Sequence, residues 1–231
     1  MDSFKIGIIS ATEFELAPFL QKMTTTQTTE KAMVKFYEGF YGGVPVVACF
    51  SGVCKVNAAI AAQNMIHLFD VKEIIMIGVA GAIESSLKIY DTIISNEIVY
   101  HDVTDEILTE YHPHMSHPYF IADQKLMNQV MQFNADDETV FVGKIATGEA
   151  FIDQDGRDVI IEKHNPQCVD METAGVAHVC YVNDVPFVAI RSISETPHES
   201  GNESFAKYAI AAAEKSVRVL CRYLDTVNKS A

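Results

Sequence analysis

The chain has 231 residues, of which 48% are hydrophobic and 21% are charged, and its formal net charge is −14. With only 12 Gly and 7 Pro, it is neither disordered nor collagen-like, and it is long enough to bury a sizeable core. The acidic excess, with no cluster of Lys or Arg, argues against a nucleic-acid partner and favours a small-molecule ligand.

The first residues, the apolar stretches and the cysteines indicate the cellular compartment. The first residues lack a basic region, and the longest apolar stretch, Ile74 to Ile83, has ten residues and includes two glycines. This pattern predicts neither a signal peptide nor a membrane span. The five cysteines are scattered without a C-x-x-C pair, which excludes a disulfide framework or zinc ribbon and favours a reducing cytoplasm.

Apolar runs alternate with segments of helical period along the chain, which is typical of an α/β domain with a largely buried sheet. The predicted strands are Lys5–Ile9, Val34–Phe40, Val46–Phe50, Glu73–Ile77, Asp91–Val99, Val140–Ala146, Cys168–Asp170 and Phe187–Ile193. The predicted helices are Glu13–Met23, Val56–Phe69, Asp123–Phe133, Asp155–His164, Thr173–Asn183 and Ser204–Asn228. A hairpin turn is expected at Tyr41-Gly42-Gly43. No linker or repeat interrupts the pattern, so one domain is expected over residues 1–231.

Ligands of open α/β sheets usually bind beyond the carboxyl ends of the strands, so the residues after each strand deserve the closest reading. Five such junctions carry chemically suggestive residues, and carboxylates gather at three of them. The junctions are Ser10–Glu15, Ser51–Ala59, Gly78–Ala82, Asp170–Ala174 and Arg191–Glu195.

Each junction also has a purely structural interpretation. Thr12 and Glu15 fit a helix capping box, and Gly78-x-x-Gly81 fits a tight strand-to-helix turn. Glu172 would gain from the dipole of the helix that follows it. Arg191 lies in an apolar run, so it requires an anionic partner, which could be a structural carboxylate or a ligand.

Two loops invite further interpretations. The stretch from Glu195 to Asn202 has the composition of a mobile loop and could act as a lid. His101, His112, His114 and His117 could be metal ligands, but their spacing and the neighbouring prolines favour solvated loop histidines.

Taken together and in this order, the five junctions resemble the nucleoside phosphorylase/nucleosidase superfamily, and most closely the bacterial 5′-methylthioadenosine/S-adenosylhomocysteine nucleosidases. The likeness extends from Ile6-Gly7-Ile8-Ile9 to the last helix. It implies a single α/β domain with a central twisted mixed β-sheet flanked by helices. It also implies a homodimer whose neighbour helps to close the substrate pocket, and no metal or organic cofactor.

The resemblance also implies roles for particular residues. Glu15 would deprotonate the attacking water, Glu195 would be the general acid, and Arg191 would lie near the water and the sugar hydroxyls. Glu172 would bind the 2′- and 3′-hydroxyls, with Met171 beneath the ribose. The remaining implied substrate-binding residues are Val53 and Phe205 at the 5′-alkylthio group, Val79, Ala80 and Gly81 beside the ribose and base, and Phe151, Ile152 and Ser194 at the purine.

The chain departs from the family pattern at three places. Glu195 replaces the usual aspartate and is one methylene longer. Proton transfer needs heavy atoms within about 2.6–3.2 Å, so either the backbone shifts to absorb the extra length or the rate falls. Val79 replaces a serine, and the segment from Asp102 to Tyr119 aligns poorly.

The implied reaction is hydrolysis of the N-glycosidic bond of 5′-methylthioadenosine or S-adenosylhomocysteine, which releases adenine. A buried acid would protonate the departing base, and carboxylates would favour positive charge on the sugar. Phosphate as the nucleophile would require cations, whereas the first junction offers carboxylates. Two alternatives stay open: a nucleoside-binding protein that lacks the chemistry, and a related enzyme for another 6-aminopurine nucleoside such as aminodeoxyfutalosine.

Overall fold

One mixed β-sheet organises the chain, and helices flank it. The computed structural model describes residues 4–152, 156–199 and 201–227, and these residues form ten strands and seven helices. The strands are β1 (Ile6–Ser10), β2 (Thr24–Lys31), β3 (Val34–Tyr41), β4 (Val44–Phe50), β5 (Glu73–Ala82), β6 (Thr92–Tyr100), β7 (Tyr119–Ile121), β8 (Val140–Thr147), β9 (Cys168–Asp170) and β10 (Phe187–Glu195). The helices are α1 (Glu13–Leu20), α2 (Lys55–Phe69), α3 (Asp105–Glu110), α4 (Gln124–Gln132), α5 (Arg157–His164), α6 (Thr173–Val182) and α7 (Gly201–Val227). The predicted fold class is confirmed.

The sheet closes on itself at one end. Strand β10 pairs with both β5 and β6, and β8 and β9 complete a ring of strands in the order β5, β10, β6, β8, β9. Strands β1, β4, β3 and β2 extend the sheet from β5. Strands β1 and β10 are buried along their whole length, which explains the apolar run that opens each of them, Ile6–Ile9 in β1 and Phe187–Ile190 in β10. The parallel strands β1, β4, β5 and β10 bring their carboxyl ends to the same edge.

Most predicted elements are found, with ends shifted by a few residues. The largest shift is in β5, which continues to Ala82 because it keeps pairing with β10 and then with β9. The turn expected at Gly78-x-x-Gly81 is therefore wrong, since both glycines lie inside a strand. The hairpin turn after β3 is confirmed, with Gly42 and Gly43 at positive φ.

Three elements were not predicted: β2, β7 and α3. The predicted start of α5 at Asp155 lies outside the described residues. Within the described part of the chain, no helix has both the length and the apolar content needed to cross a membrane.

Candidate active site

A cavity of about 220 Å³ opens at the carboxyl ends of the parallel strands. Of the catalytic and substrate-binding residues that the resemblance implies, all but Arg191 line it. The lining residues are Ala11, Thr12, Phe14, Glu15, Val53, Val79, Ala80, Gly81, Ala150, Phe151, Ile152, Val169, Asp170, Met171, Glu172, Ser194, Glu195 and Phe205. Six junctions of the fold therefore converge on one space, as the topology requires.

Glu15 is buried at the start of α1 and is held by three hydrogen-bond donors. Its Oε2 accepts hydrogen bonds from the backbone N–H and the hydroxyl of Thr12, each at 2.8 Å, and its Oε1 accepts one from the Val79 N–H at 2.9 Å. The capping box is thus present, and the same side chain also lines the cavity. The structural and functional interpretations of Glu15 are therefore compatible.

Arg191 lies behind the cavity wall, completely buried in β10. Its guanidinium forms ion pairs with Asp170 at 2.8 Å, Glu172 at 3.2 Å and Glu15 at 3.8 Å. The predicted need for an anionic partner is confirmed, and the partners are carboxylates of the protein. Burial lowers the pKa of Arg191, but these carboxylates outweigh burial and raise it above its ordinary range. The arginine is therefore a permanent cation that the cavity does not contact directly.

Gly78 allows this cluster to assemble. It lies in β5 with a φ of 146°, and a Cβ at this position would overlap both the Glu15 carboxylate and the Arg191 guanidinium. Only glycine leaves room for an acid from α1 and a base from β10 to meet over β5.

Asp170 is a site residue that the sequence analysis did not single out. Its carboxylate accepts a hydrogen bond from the Thr147 hydroxyl at 2.6 Å, contacts the Thr173 hydroxyl and pairs with Arg191. The sequence contains a signal that could have identified Asp170. An arginine in an apolar strand needs a buried acid as its partner, and Asp170 is the acid that ends a short apolar strand.

Glu172 is the N-cap residue of α6 and projects into the cavity between two donors. Its Oε1 accepts a hydrogen bond from the Cys54 N–H at 2.9 Å, and its Oε2 accepts one from Arg191 at 3.2 Å. Burial raises the pKa of Glu172 above its usual range, and the Arg191 guanidinium opposes that rise. The neighbouring carboxylates of Asp170 and Glu15 add to the rise that burial causes.

Ser194 and Glu195 both line the cavity because the end of β10 is irregular. Ile193 pairs with Ala80 and Glu195 with Gly81, so Ser194 is an extra residue in a β-bulge. Neighbours in a regular strand point to opposite faces, whereas the bulge brings both side chains to one space. The Ser194 hydroxyl donates to the Glu195 carboxylate.

Three aromatic side chains form an aromatic wall of the cavity. Phe205 of α7 contacts Phe14 and Phe151 edge to face, with ring centroids 6.1 and 6.5 Å apart. Phe151 is 45% exposed, so it is accessible to a planar ligand. The cavity thus offers apolar aromatic surface as well as carboxylates.

The charged side chains that line the cavity are all acidic among the described residues. Four carboxylates line the cavity, those of Glu15, Asp170, Glu172 and Glu195, and no Lys, Arg or His is among the lining residues that the structure describes. The space therefore favours neutral or cationic species over anions.

The four histidines considered as metal ligands are not among the lining residues. His112, His114 and His117 are exposed in the segment between β6 and β7, and His101 is half-buried. The stretch expected to form a lid begins at Glu195, which lines the cavity, and its Ser200 lies outside the described residues.

Comparisons with known proteins show the family of the chain. The family model of the phosphorylase superfamily matches residues 5–225. A 5′-methylthioadenosine/S-adenosylhomocysteine nucleosidase from Exiguobacterium sp. strain AT1b is 36% identical over 94% of this chain and 95% of its own length. An S-adenosylhomocysteine nucleosidase from Streptococcus pyogenes, solved with 5-methylthiotubericidin, superposes with a TM-score of 0.89 at 30% identity and 98% coverage of both chains. Futalosine hydrolase from Helicobacter pylori superposes with a TM-score of 0.88 at 26% identity, covering 96% of this chain and 98% of the other. The chain therefore belongs to the phosphorylase superfamily and, within it, to the family of 5′-methylthioadenosine/S-adenosylhomocysteine nucleosidases.

Proposed function

We propose that the protein hydrolyses the N-glycosidic bond of 5′-methylthioadenosine and S-adenosylhomocysteine, releasing adenine and a 5-thioribose product. The observation that carries this proposal is the cavity lined by four carboxylates and faced by an aromatic wall. The named activity of the relatives supports the same substrates.

The carboxylates match the charge that develops when such a bond breaks. Positive charge accumulates on the sugar as adenine departs, and buried anions stabilise it where water is excluded. Glu15, Asp170 and Glu172 provide that negative potential from one side, and Glu172 binds the ribose hydroxyls. Adenine stacks on Phe151, with Ile152 and Ser194 at its edge.

Water is the nucleophile that this lining favours. Phosphate carries about two negative charges at neutral pH and needs exposed cations, whereas Arg191 is buried and already paired with three carboxylates. Glu15 accepts a proton from the water while the water oxygen bonds to C1′. The C1′–N9 bond breaks, its electron pair leaves with the base, and Glu195 donates a proton to N7 so that adenine departs neutral.

Release of adenine from 5′-methylthioadenosine tests the proposal directly. We expect turnover in buffer without phosphate and no acceleration when phosphate is added. Turnover that requires phosphate would contradict hydrolysis. Binding of the nucleoside without adenine release would instead identify a nucleoside-binding protein.

A second candidate substrate is another 6-aminopurine nucleoside, such as aminodeoxyfutalosine. The similarity to futalosine hydrolase favours it, because that enzyme shares the fold over nearly the whole chain. Competition between the two nucleosides for one enzyme sample separates the candidates, since the preferred substrate is the one with the higher kcat/KM.

We also propose that two copies of the chain form a homodimer. Val56 and Ile60 on α2 are exposed, as are Tyr181 and Val182 at the end of α6, which packs beside α2. Exposed apolar side chains on adjacent helices are typical of an interface between copies. Light scattering coupled to gel filtration should give twice the mass of the chain, and a monomer at micromolar concentration would contradict this.

A further inference from the structure

The turn before α2 contains a strained residue. Cys54 has a φ of 80° and a ψ of 161°, a region that is essentially restricted to glycine. Asp70 and Asn165 also have positive φ, but they adopt the left-handed helical conformation that helix ends tolerate. A side chain in the conformation of Cys54 persists only where its surroundings fix the backbone, and such residues concentrate at functional sites.

The strained conformation directs one hydrogen bond into the cavity. The Cys54 N–H donates to Oε1 of Glu172, while Arg191 donates to Oε2. Rotation of Cys54 into the extended region common to side-chain-bearing residues would turn its N–H away. The turn therefore fixes one of the two carboxylate oxygens of Glu172, and Arg191 fixes the other.

Glu149, from the segment after β8, holds this turn in place. Its Oε1 accepts a hydrogen bond from the Lys55 N–H at 3.1 Å, directly after the strained residue. Burial, reinforced by a hydrogen bond to the same carboxylate, raises the pKa of the Cys54 thiol to about 11, so the thiol stays protonated and donates at neutral pH.

Asp102 in turn locks the position of Glu149. It accepts a hydrogen bond from the Glu149 N–H at 2.9 Å and two from the Lys55 ammonium at 2.7 and 2.8 Å. Lys55 also lies over the Tyr100 ring, 5.0 Å from its centroid. Segments after β4, β6 and β8 are thereby joined beside the cavity, although Lys55, Asp102 and Glu149 are not part of its lining.

We infer that Glu149 is a positioning residue for sugar recognition, because it holds the strained turn whose Cys54 N–H orients Glu172. The inference rests on the proposed function, which assigns Glu172 to the ribose hydroxyls. Glu149 also precedes Phe151, the residue assigned to adenine in the proposed function, by two positions.

Binding of two nucleosides that differ only in the sugar tests this role. The probes are 5′-methylthiotubercidin, in which carbon replaces N7, and its 2′,3′-dideoxy analogue, each titrated calorimetrically into the full chain. We expect the wild type to prefer the ribose ligand and Glu149→Ala to reduce that preference by about tenfold, the effect of one lost charge-assisted contact. Glu149→Gln should keep the preference within about threefold of the wild type, because its amide oxygen still accepts from the Lys55 N–H.

A suppressor variant makes the test specific. Glycine adopts the strained conformation without support, so adding Cys54→Gly to Glu149→Ala should restore the preference for the ribose ligand. Glu97→Ala is the matched control, because it removes another ion pair between β6 and β8, that of Glu97 with Lys144, away from the cavity. We expect this control to bind like the wild type.

Three results would overturn the inference. They are a wild type without preference for the ribose ligand, a Glu149→Ala variant that weakens both ligands equally, and a double variant that binds no better than Glu149→Ala. Failure of the wild type to release adenine would contradict the proposed function alone, because these titrations require no turnover.

Discussion

The two roles of Glu15 can be separated by replacing it with glutamine. In the wild type, three N–H and O–H donors converge on its two carboxylate oxygens. Glutamine presents only one oxygen, so its amide nitrogen must face either the Val79 N–H or the Thr12 N–H. One buried donor loses its acceptor in either orientation.

The magnitudes of the two effects differ enough to be measured independently. An unsatisfied buried donor costs about 1–3 kcal/mol of stability, which lowers the melting temperature of a chain of this size by about 2–6 °C. Loss of the base that accepts the proton of the attacking water should lower kcat by at least about 10²-fold. The catalytic loss thus exceeds what destabilisation causes, since the variant stays folded at 25 °C.

Thr12→Ala provides the comparison, because it removes the capping hydroxyl and keeps the Glu15 carboxylate. We expect it to lose about 0.5–2 kcal/mol of stability and less than about tenfold in kcat. Adenine release and thermal unfolding of both variants at equal concentration give the two readouts. A Glu15→Gln variant with the stability loss but an unaltered rate would refute a catalytic role and leave only the capping box.

Three further changes have defined outcomes. Glu195→Gln should lower kcat at least about 10²-fold while nucleoside binding persists, because the amide cannot donate the proton to adenine. Glu73 lies outside the cavity, and burial raises its pKa to about 7 although the Tyr223 hydroxyl donates to it. The folded state therefore binds this proton more tightly than the unfolded state does. The free energy of unfolding should fall as the pH rises from about 4.5 through about 7. Urea unfolding should show Glu73→Gln about 2–3 kcal/mol more stable than the wild type at pH 8 and equal to it at pH 4. Arg191→Met leaves buried acids without their cation, so urea unfolding should show a loss of about 3–5 kcal/mol in the free energy of unfolding. If Asp170→Asn lost more stability than Arg191→Met, the arginine would not be the centre of the ion-pair cluster.

The sequence predicted those parts of the fold that bury apolar side chains. Strand β2 was missed because its residues are polar and exposed, and as an edge strand it pairs only with β3, so no apolar alternation marks it. Strand β7 and helix α3 are too short for a periodic signal. The continuation of β5 through two glycines depends on pairing with β10 and β9, which no local pattern records.

The types of residue in the candidate site could be predicted from the sequence, but their identities and geometry could not. An arginine in an apolar strand required buried acids, but which acids depends on topology: Asp170 ends β9, Glu172 caps α6 and Glu15 opens α1. The bulge at Ser194 and the strained turn at Cys54 are decided by tertiary contacts. Local propensity predicts neither of them. Ser194 interrupts the regular pairing of a strand, and Cys54 has a backbone conformation that residues with side chains rarely adopt.

The buried arginine explains how so acidic a cavity is compatible with a stable fold. Three desolvated carboxylates would repel one another, and a guanidinium within 4 Å of each reduces that repulsion without entering the cavity. The compensation is partial, since one positive charge faces three negative ones, and burial keeps the pKa of Glu172 raised although the guanidinium opposes that rise. That remaining negative potential destabilises the empty site, and it is the same potential that stabilises positive charge on a sugar whose base is leaving. Weakening the acidic cluster should therefore slow the enzyme.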